Sequence, residues 1–350
     1  MTNPIVVYGA TGYTGRLIIQ EAVAKGLRPV VAGRNAEAVR ALAAEFGLEG
    51  RVASLDDAAS LDAAFAGMRV VLNCAGPFHS RAWPVVDACF RHGLHYLDIT
   101  GEIVVFERMA ALGAKAAAAG ISLIPGVGFD VVPSDCLAAR LKVRLPTATH
   151  LELAFTGGVG LSRGTATTIV EGIAKGGAVR RDGRIVSVPQ AYVTRDIDYG
   201  HRRLTSMSIP WGDVSTAYHS TRIPNITVYT AVHPKTVRRL RLSRPFAPLL
   251  GTSLVQRFLL ARAAKVKGPT ESTRAAAQSR LWGEARDSAG NTAVSLLSAP
   301  EGYDLTAMTA VAAAQRVLAG GVDVGFQTPS RAFGADFILE APRTKFEDVK

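Results

Sequence analysis

The chain has 350 residues, enough for two domains, and its 48% hydrophobic and 20% charged residues are the balance of a globular protein. Three cysteines without CxxC spacing argue against a disulfide framework or a zinc site. With no leader-like N-terminus and no apolar run of ~18 residues, a reduced, cytoplasmic compartment is expected. The formal charge of +11 is local: nine cations and no acid lie between Lys235 and Lys267.

Residues 1–125 alternate between short β-rich runs and helical patterns. The strand candidates are 4–9, 28–33, 51–54, 69–76, 95–100 and 121–126. Helical patterns lie between them at 12–25, 36–46, 57–65, 83–91 and 103–119. Strands apolar on both faces and alternating with helices predict an α/β fold, a doubly wound parallel sheet. From residue 126 the texture changes. A helix is expected over 128–145, entered through Asp130 and Ser134. β-like runs follow at 149–158, 183–200 and 225–232, then a helical pattern at 253–267. A β-like pair over 279–300 turns at "SAGN", and an Ala-rich helix runs over 305–318. Residues 126–350 therefore read as an α+β substrate domain, with no internal repeat.

The loop "GATGYTG" follows the first strand and opens the first helix, the context that gives a glycine motif its meaning. Gly9 lets the chain leave the strand tightly, Gly12 leaves room for a pyrophosphate, and Gly15 lets the helix pack against the sheet. The helix start then offers N–H groups and a positive dipole end to the phosphate. The spacing is GxxGxxG, with Thr11 at the place of the middle glycine of the commoner form. No Gly-Lys-Ser/Thr follows, which excludes a P-loop. The alternative is a glycine turn without a ligand.

The second strand ends at Arg34, nineteen positions beyond Gly15. An acid there would suit NAD, whereas a guanidinium matches the 2′-phosphate of NADP. A solvent-facing arginine at a helix start is the competing reading. Ligands of open α/β sheets lie outside the carboxyl ends of strands, so Gly76, Pro77 and Phe78 are candidates to flank the nicotinamide. The cofactor set is thus Gly9, Ala10, Thr11, Gly12, Tyr13, Thr14, Gly15, Arg34, Asn35, Ala75, Gly76 and Pro77. Thr100, Gly101 and Glu102 are candidates for the substrate side, with a plain helix cap as the other reading of Thr100. Asp130 could orient a substrate amine or cap the next helix. Ser162, Arg163 and Thr165 precede a helix and could hold a carboxylate or phosphate, or simply cap it. Tyr199 and His201 are candidate proton donors in an apparent turn. No residue is assigned a catalytic role, and no metal site is expected.

At these residues the chain resembles the saccharopine dehydrogenase-like oxidoreductases, and is most similar to the bacterial branch that also resembles the mycobacterial trans-acting enoyl reductases. The shared pieces are "GATGYTGRL", "VVAGRN", "VLNCAGPF", "YLDITGE", "GFDVVPSD", "SRGTATT" with "RRDGRI", "IPWGDVSTAYHSTRIPN" and "GFQTPSRAFGADFIL". The resemblance implies NADP(H), a Rossmann domain over 1–125, a substrate domain over 126–350, and a C-terminal segment packing back near the cleft. It also implies an oxidoreductase. Reduction of a C=C or C=N bond in a carboxylate- or acyl-bearing substrate is the favoured expectation. A non-catalytic NADP-binding sensor or membrane-associated scaffold is the alternative.

The cations of 235–267 alternate with Leu, Phe and Val. They could lie on an anionic membrane, at the inner face of the cell membrane, or meet an acidic carrier of an acyl substrate. The ordinary reading is a solvated helical face. Aromatic residues are too sparse there for nucleic-acid binding. Beyond a small-molecule or acyl substrate, a homodimer is the remaining partner considered, with no residue assigned to it.

Overall fold

The computed structural model describes residues 4–157, 160–172, 176–246 and 252–350, which fall into two compact units. The first joins residues up to Val132 with Tyr303–Ala341; the second joins Pro133–Gly302 with Pro342–Lys350. Parts of the predicted 149–158 strand, of the helical pattern after Thr165 and of the basic window lie outside the described residues.

The first unit is built on β1 (Ile5–Tyr8), α1 (Tyr13–Ala24), β2 (Val30–Gly33), α2 (Ala36–Phe46), β3 (Gly50–Val52), α3 (Ala58–Phe65), β4 (Val70–Asn73), α4 (Phe78–His92), β5 (His95–Asp98), α5 (Ile103–Ala111), α6 (Gly113–Ala118) and β6 (Ser122–Ile124). All its strand pairs are parallel, in the order β6-β5-β4-β1-β2-β3. β1, β2 and β4 are buried at every position, as a sheet covered by helices on both faces requires. The helix periodicity translates directly. α2 buries Val39, Leu42 and Ala43, starts on an Asn35 cap and stops at Gly47 in the left-handed conformation.

Two features depart from the sequence expectation. The predicted helix over 103–119 is divided at Leu112, where Gly113 lies against Phe326 so closely that a Cβ would sit 3.2 Å from the Phe326 side chain. The fourth helix begins at Phe78 rather than Trp83, because its start is capped from outside, as described below. A seventh strand, Gly325–Phe326, extends the sheet beyond β6. The helix Gly302–Ala319 belongs with it and buries ten residues, among them Leu305, Val311 and Val317.

The second unit carries a mixed sheet. Its path runs Thr194–Asp198, Arg203–Ser208, Asn225–Ala231, His150–Thr156, Gln278–Arg286, Thr292–Pro300 and Lys345–Asp348, and the hairpin of Gly177–Arg181 and Arg184–Val188 hangs off it. The two strands around "SAGN" pair antiparallel over their whole length, in line with the turn chemistry. The helix α7 (Val132–Arg144) covers one face. Gly283 makes that possible, since a Cβ there would meet the Leu141 side chain at 2.6 Å. The expected single run over 183–200 is instead two strands, separated by Pro189 and a positive-φ Ala191.

Candidate functional site

The glycine loop lies where β1 and β4 adjoin, the point at which the strand order reverses. Three glycines meet three different surroundings. Gly9 has φ +77°, and a Cβ there would stand 2.8 Å from the Ala75 nitrogen of the loop after β4. At Gly15 a Cβ would stand 2.5 Å from the Gly9 carbonyl oxygen. These two close the turn on itself and on its neighbour. Gly12 is exposed and meets only the Gly9 oxygen, at 3.3 Å. The same residue starts α1, where no side chain caps the helix and no acid occupies the first turn. A bare, uncapped helix start beside an open glycine is a fit for a pyrophosphate. Thr11 is exposed on the loop, Tyr13 and Thr14 are half-buried, and the Tyr13 ring meets Tyr303 edge-on at 5.0 Å. Ala10 is buried beneath the turn.

At the end of β2, Arg34 is exposed and makes no ion pair among the described residues. Its neighbour Asn35 is occupied as the α2 cap, accepting from the Ala38 N–H at 3.0 Å. The Tyr8 phenol is buried and its pKa is raised by that burial, against the pull of two nearby guanidiniums, Arg34 and Arg81. Arg81 donates to the Gly76 carbonyl at 2.9 Å. Two cations, Arg34 at the end of β2 and Arg81 in the first turn of α4, therefore share one neighbourhood, of which the sequence pattern points only to Arg34.

The ends of β4, β5 and β6 are tied by a buried network centred on Asp98. Its carboxylate accepts from the N–H groups of Thr100 (3.0 Å) and Gly126 (2.9 Å) and from the Tyr96 hydroxyl (2.8 Å). Asn73 donates to Tyr96 at 3.1 Å and accepts from the Ala75 N–H at 3.0 Å. Burial pushes Asp98 up to about 7, opposed by those hydrogen bonds and helped by the Glu102 charge. The sequence pattern signals Asp98 only by its place as the last residue of an apolar strand. The Gly76–Pro77 peptide of this row is cis.

Glu102 and Thr100 are committed locally. Glu102 accepts from the N–H of Phe78 (2.7 Å) and of His79 (3.1 Å) and contacts His79 Nδ1 at 2.7 Å, so it caps α4 from a different loop. This is the external cap that lets α4 start five residues before Trp83. Thr100 is fully buried and its hydroxyl accepts from the Glu102 N–H at 3.1 Å, the local turn role. Asp130 is different. It makes no capping bond to α7 and accepts no hydrogen bond among the described residues. It is half-buried over Gly101, where a Cβ would lie 2.8 Å from its Oδ2. Burial first, and then the Glu102 charge, push its carboxyl up to about 7. The segment carrying it is pinned by the helix 302–319: Phe129 N–H donates to Thr306 Oγ1 at 3.0 Å and Thr309 donates to the Val127 carbonyl at 2.8 Å.

The remaining candidates lie in the second unit. Ser162 is buried and accepts from the Thr165 N–H at 3.2 Å, which makes it the cap of α8 (Arg163–Gly172), and Arg163 is exposed. Tyr199 is a fully buried core residue. Its hydroxyl contacts Ser206 at 2.9 Å and burial pushes its pKa up to about 12, so it is no exposed proton donor. His201 is exposed at the turn beside it. A cleft of about 420 Å³ on the mixed sheet is lined by Glu152, Arg195, Tyr229 and Glu284. Arg195 bridges both carboxylates there, and Tyr229 donates to Glu152 at 2.8 Å.

Residues 5–124 match the family model of the saccharopine dehydrogenase NADP binding domain. The trans-acting enoyl reductase of Mycobacterium leprae is 37% identical over 149 residues, 40% of this chain and 36% of that protein. The human saccharopine dehydrogenase-like oxidoreductase is 32% identical over 151 residues, 37% of this chain and 35% of that protein. The matched stretch thus spans about a third of the length of these relatives. Among solved structures, apo saccharopine dehydrogenase (L-Glu forming) from Saccharomyces cerevisiae has a TM-score of 0.66 at 13% identity, covering 100% of both chains. Homospermidine synthase from Legionella pneumophila, solved with NAD, has a TM-score of 0.63 at 11% identity, covering 100% of this chain and 92% of that one. At these identities the structural likeness shows the fold, a Rossmann sheet with a second mixed-sheet domain.

Proposed function

We propose that this chain, whose N-terminal domain belongs to the saccharopine dehydrogenase NADP-binding family, is an NADP-dependent reductase of a C=C or C=N bond in a carboxylate- or acyl-bearing substrate. The observation that carries the reading is Asp130. It is a half-buried carboxyl without a hydrogen-bond partner among the described residues, held up to about 7, in the same row of strand ends as the glycine loop. The relatives' printed names, an enoyl reductase and a saccharopine dehydrogenase-like oxidoreductase, support the reaction class.

In this reading the Gly9–Gly15 loop and the start of α1 bind the pyrophosphate, and Arg34 meets the 2′-phosphate. Ala75, Gly76 and Pro77 flank the ring. NADPH, when bound, supplies the hydride. Asp130 delivers a proton to the substrate and is left as the carboxylate, to be reprotonated from water. Burial, with the negative charge of Glu102 second, keeps Asp130 protonated near neutrality, and Glu102 does not compete for the substrate because its own oxygens hold α4. Asp98 ties together the ends of β5 and β6, next to the Gly101 on which that carboxyl lies.

The first experiment is a fluorescence titration with NADPH and NADH, on the protein and on Arg34→Ala. The charge-assisted bond to a phosphate predicts a preference for NADPH of roughly ten- to a hundredfold, lost in the variant. NADPH oxidation is then followed over enoyl, imine and keto-acid substrates. Tight NADPH binding with no turnover across the panel would move the reading to an NADP-binding sensor. No binding of either nucleotide would leave the loop a turn kept by the fold.

A further inference from the structure

Two helices of the basic window expose cations beside large apolar side chains. The helix Pro234–Ser243 is anchored by buried Val237 and exposes Lys235, Arg238, Arg239 and Leu242. The helix Ser253–Ala263 packs alongside α8, with Gln256 donating to the Val170 carbonyl at 3.2 Å. Its free face exposes Leu254 and Phe258, one turn apart, with Arg257, Arg262, Lys265 and Lys267 around them. Leu242, Leu254 and Phe258 are 66%, 73% and 61% exposed, values at which large apolar side chains stand proud of the surface. Arg241 and Arg244 are turned onto the backbone carbonyls of 190–191. None of the nine cations pairs with a carboxylate among the described residues, and the window contains no acid to do so.

We propose that the exposed sides of these two helices dock on an anionic membrane surface. Protruding Leu and Phe side chains ringed by cations, on helices whose opposite faces are held by the protein, match the requirements of an interfacial contact. The apolar groups enter the headgroup–acyl boundary and the cations meet lipid phosphates. The charge favours a lipid surface: seven exposed cations of the window (Lys235, Arg238, Arg239, Arg257, Arg262, Lys265 and Lys267) have no carboxylate partner among the described residues, and an anionic bilayer supplies an extended array of anions to meet them. Docking is independent of nucleotide binding, so failure of the reductase reading leaves this one standing.

The test is flotation of the full chain with vesicles of phosphatidylcholine, with and without 30% phosphatidylglycerol (roughly the anionic content at which such electrostatic adsorption is measurable). The protein is expected to float with the anionic vesicles, to stay behind with neutral ones, and to detach at high salt. Arg238→Glu with Arg239→Glu, and separately Leu254→Ser with Phe258→Ser, should each weaken binding about tenfold or more. Arg40→Glu with Arg202→Glu removes the same net charge elsewhere and should cost far less. Thermal melts establish that each variant is folded. Equal loss in the control pair would reduce the effect to net charge and overturn the proposal. Binding to neutral vesicles alike, or no binding to anionic ones, would overturn it too. Retention on an immobilised acidic acyl carrier protein without vesicle binding would do the same in favour of a protein partner.

Discussion

Among single residues, Asp130 has the most to say about chemistry. Its carboxyl is displaced to about 7 by burial and by Glu102, and it spends no lone pair on the protein. A proton donor works only while protonated, so kcat/KM for reduction should be level below pH 7 and fall about tenfold per pH unit above it. Asp130→Asn should lose roughly 10²–10⁴-fold in turnover, remove that break from the profile and leave NADPH affinity unchanged. A purely structural Asp130 would lower stability while the break at 7 persisted. The same shift acts on folding. A carboxyl with a folded pKa above its unfolded one of about 3.9 stabilises fully below that value, and the benefit is lost as pH rises through 7. Asp98 and Asp130 both shift this way, so the melting temperature should decline between pH 5 and 8, less steeply in Asp130→Asn. Asp98 would not serve as the donor despite its similar pKa, because two N–H groups and a hydroxyl already occupy its oxygens.

At the scale of elements, the second unit presents a conflict resolved by one side chain. Glu152 and Glu284 face each other directly across adjacent strands, an arrangement that is destabilising on its own. Arg195, reaching over from its strand, pairs with both and lies 4.6 Å over the Trp282 ring. The carboxylates outweigh the effect of burial and raise its pKa, so it stays charged throughout the accessible range. Arg195→Met leaves two like charges opposed. The site is partly solvated, so the loss should be about 1–3 kcal/mol in urea unfolding, less than for a fully buried pair. Adding Glu284→Gln should restore most of it, and a variant as stable as the parent would show the cluster to be free for a ligand. Such pairs were not legible beforehand, because register across strands far apart in sequence decides them. The same holds for Glu102, whose place on α4 comes from a cap supplied by another loop. By contrast β1 to β6 and the glycine loop were legible, because continuous apolar runs and turn glycines act locally. Gly325–Phe326 was not, since two residues carry no period.

At the scale of the molecule, the first unit, which carries the stretch matching the NADP binding domain, is discontinuous in sequence. Its sheet is completed by a strand that arrives after residues 133–302 of the second unit have been traced, and the helix Gly302–Ala319 has ten buried residues. That helix also fixes the segment bearing Asp130 through Thr306 and Thr309. The interior Leu123 and Ile124 lie on β6, which the added strand borders. A chain of residues 1–125 alone would leave β6 as a bare, apolar edge and would lack the helix, so its core would be open on one side. It is expected to bind a hydrophobic dye and to melt without a cooperative transition, and to bind NADPH poorly. Residues 1–132 joined by a short flexible linker to 303–341 should melt cooperatively, with a midpoint raised by NADPH through linkage. Cooperative melting and full NADPH affinity in 1–125 would mean that the returning segment serves the second unit's chemistry rather than the stability of the first. The comparison therefore separates a helix that completes a core from one that only carries residues to a site.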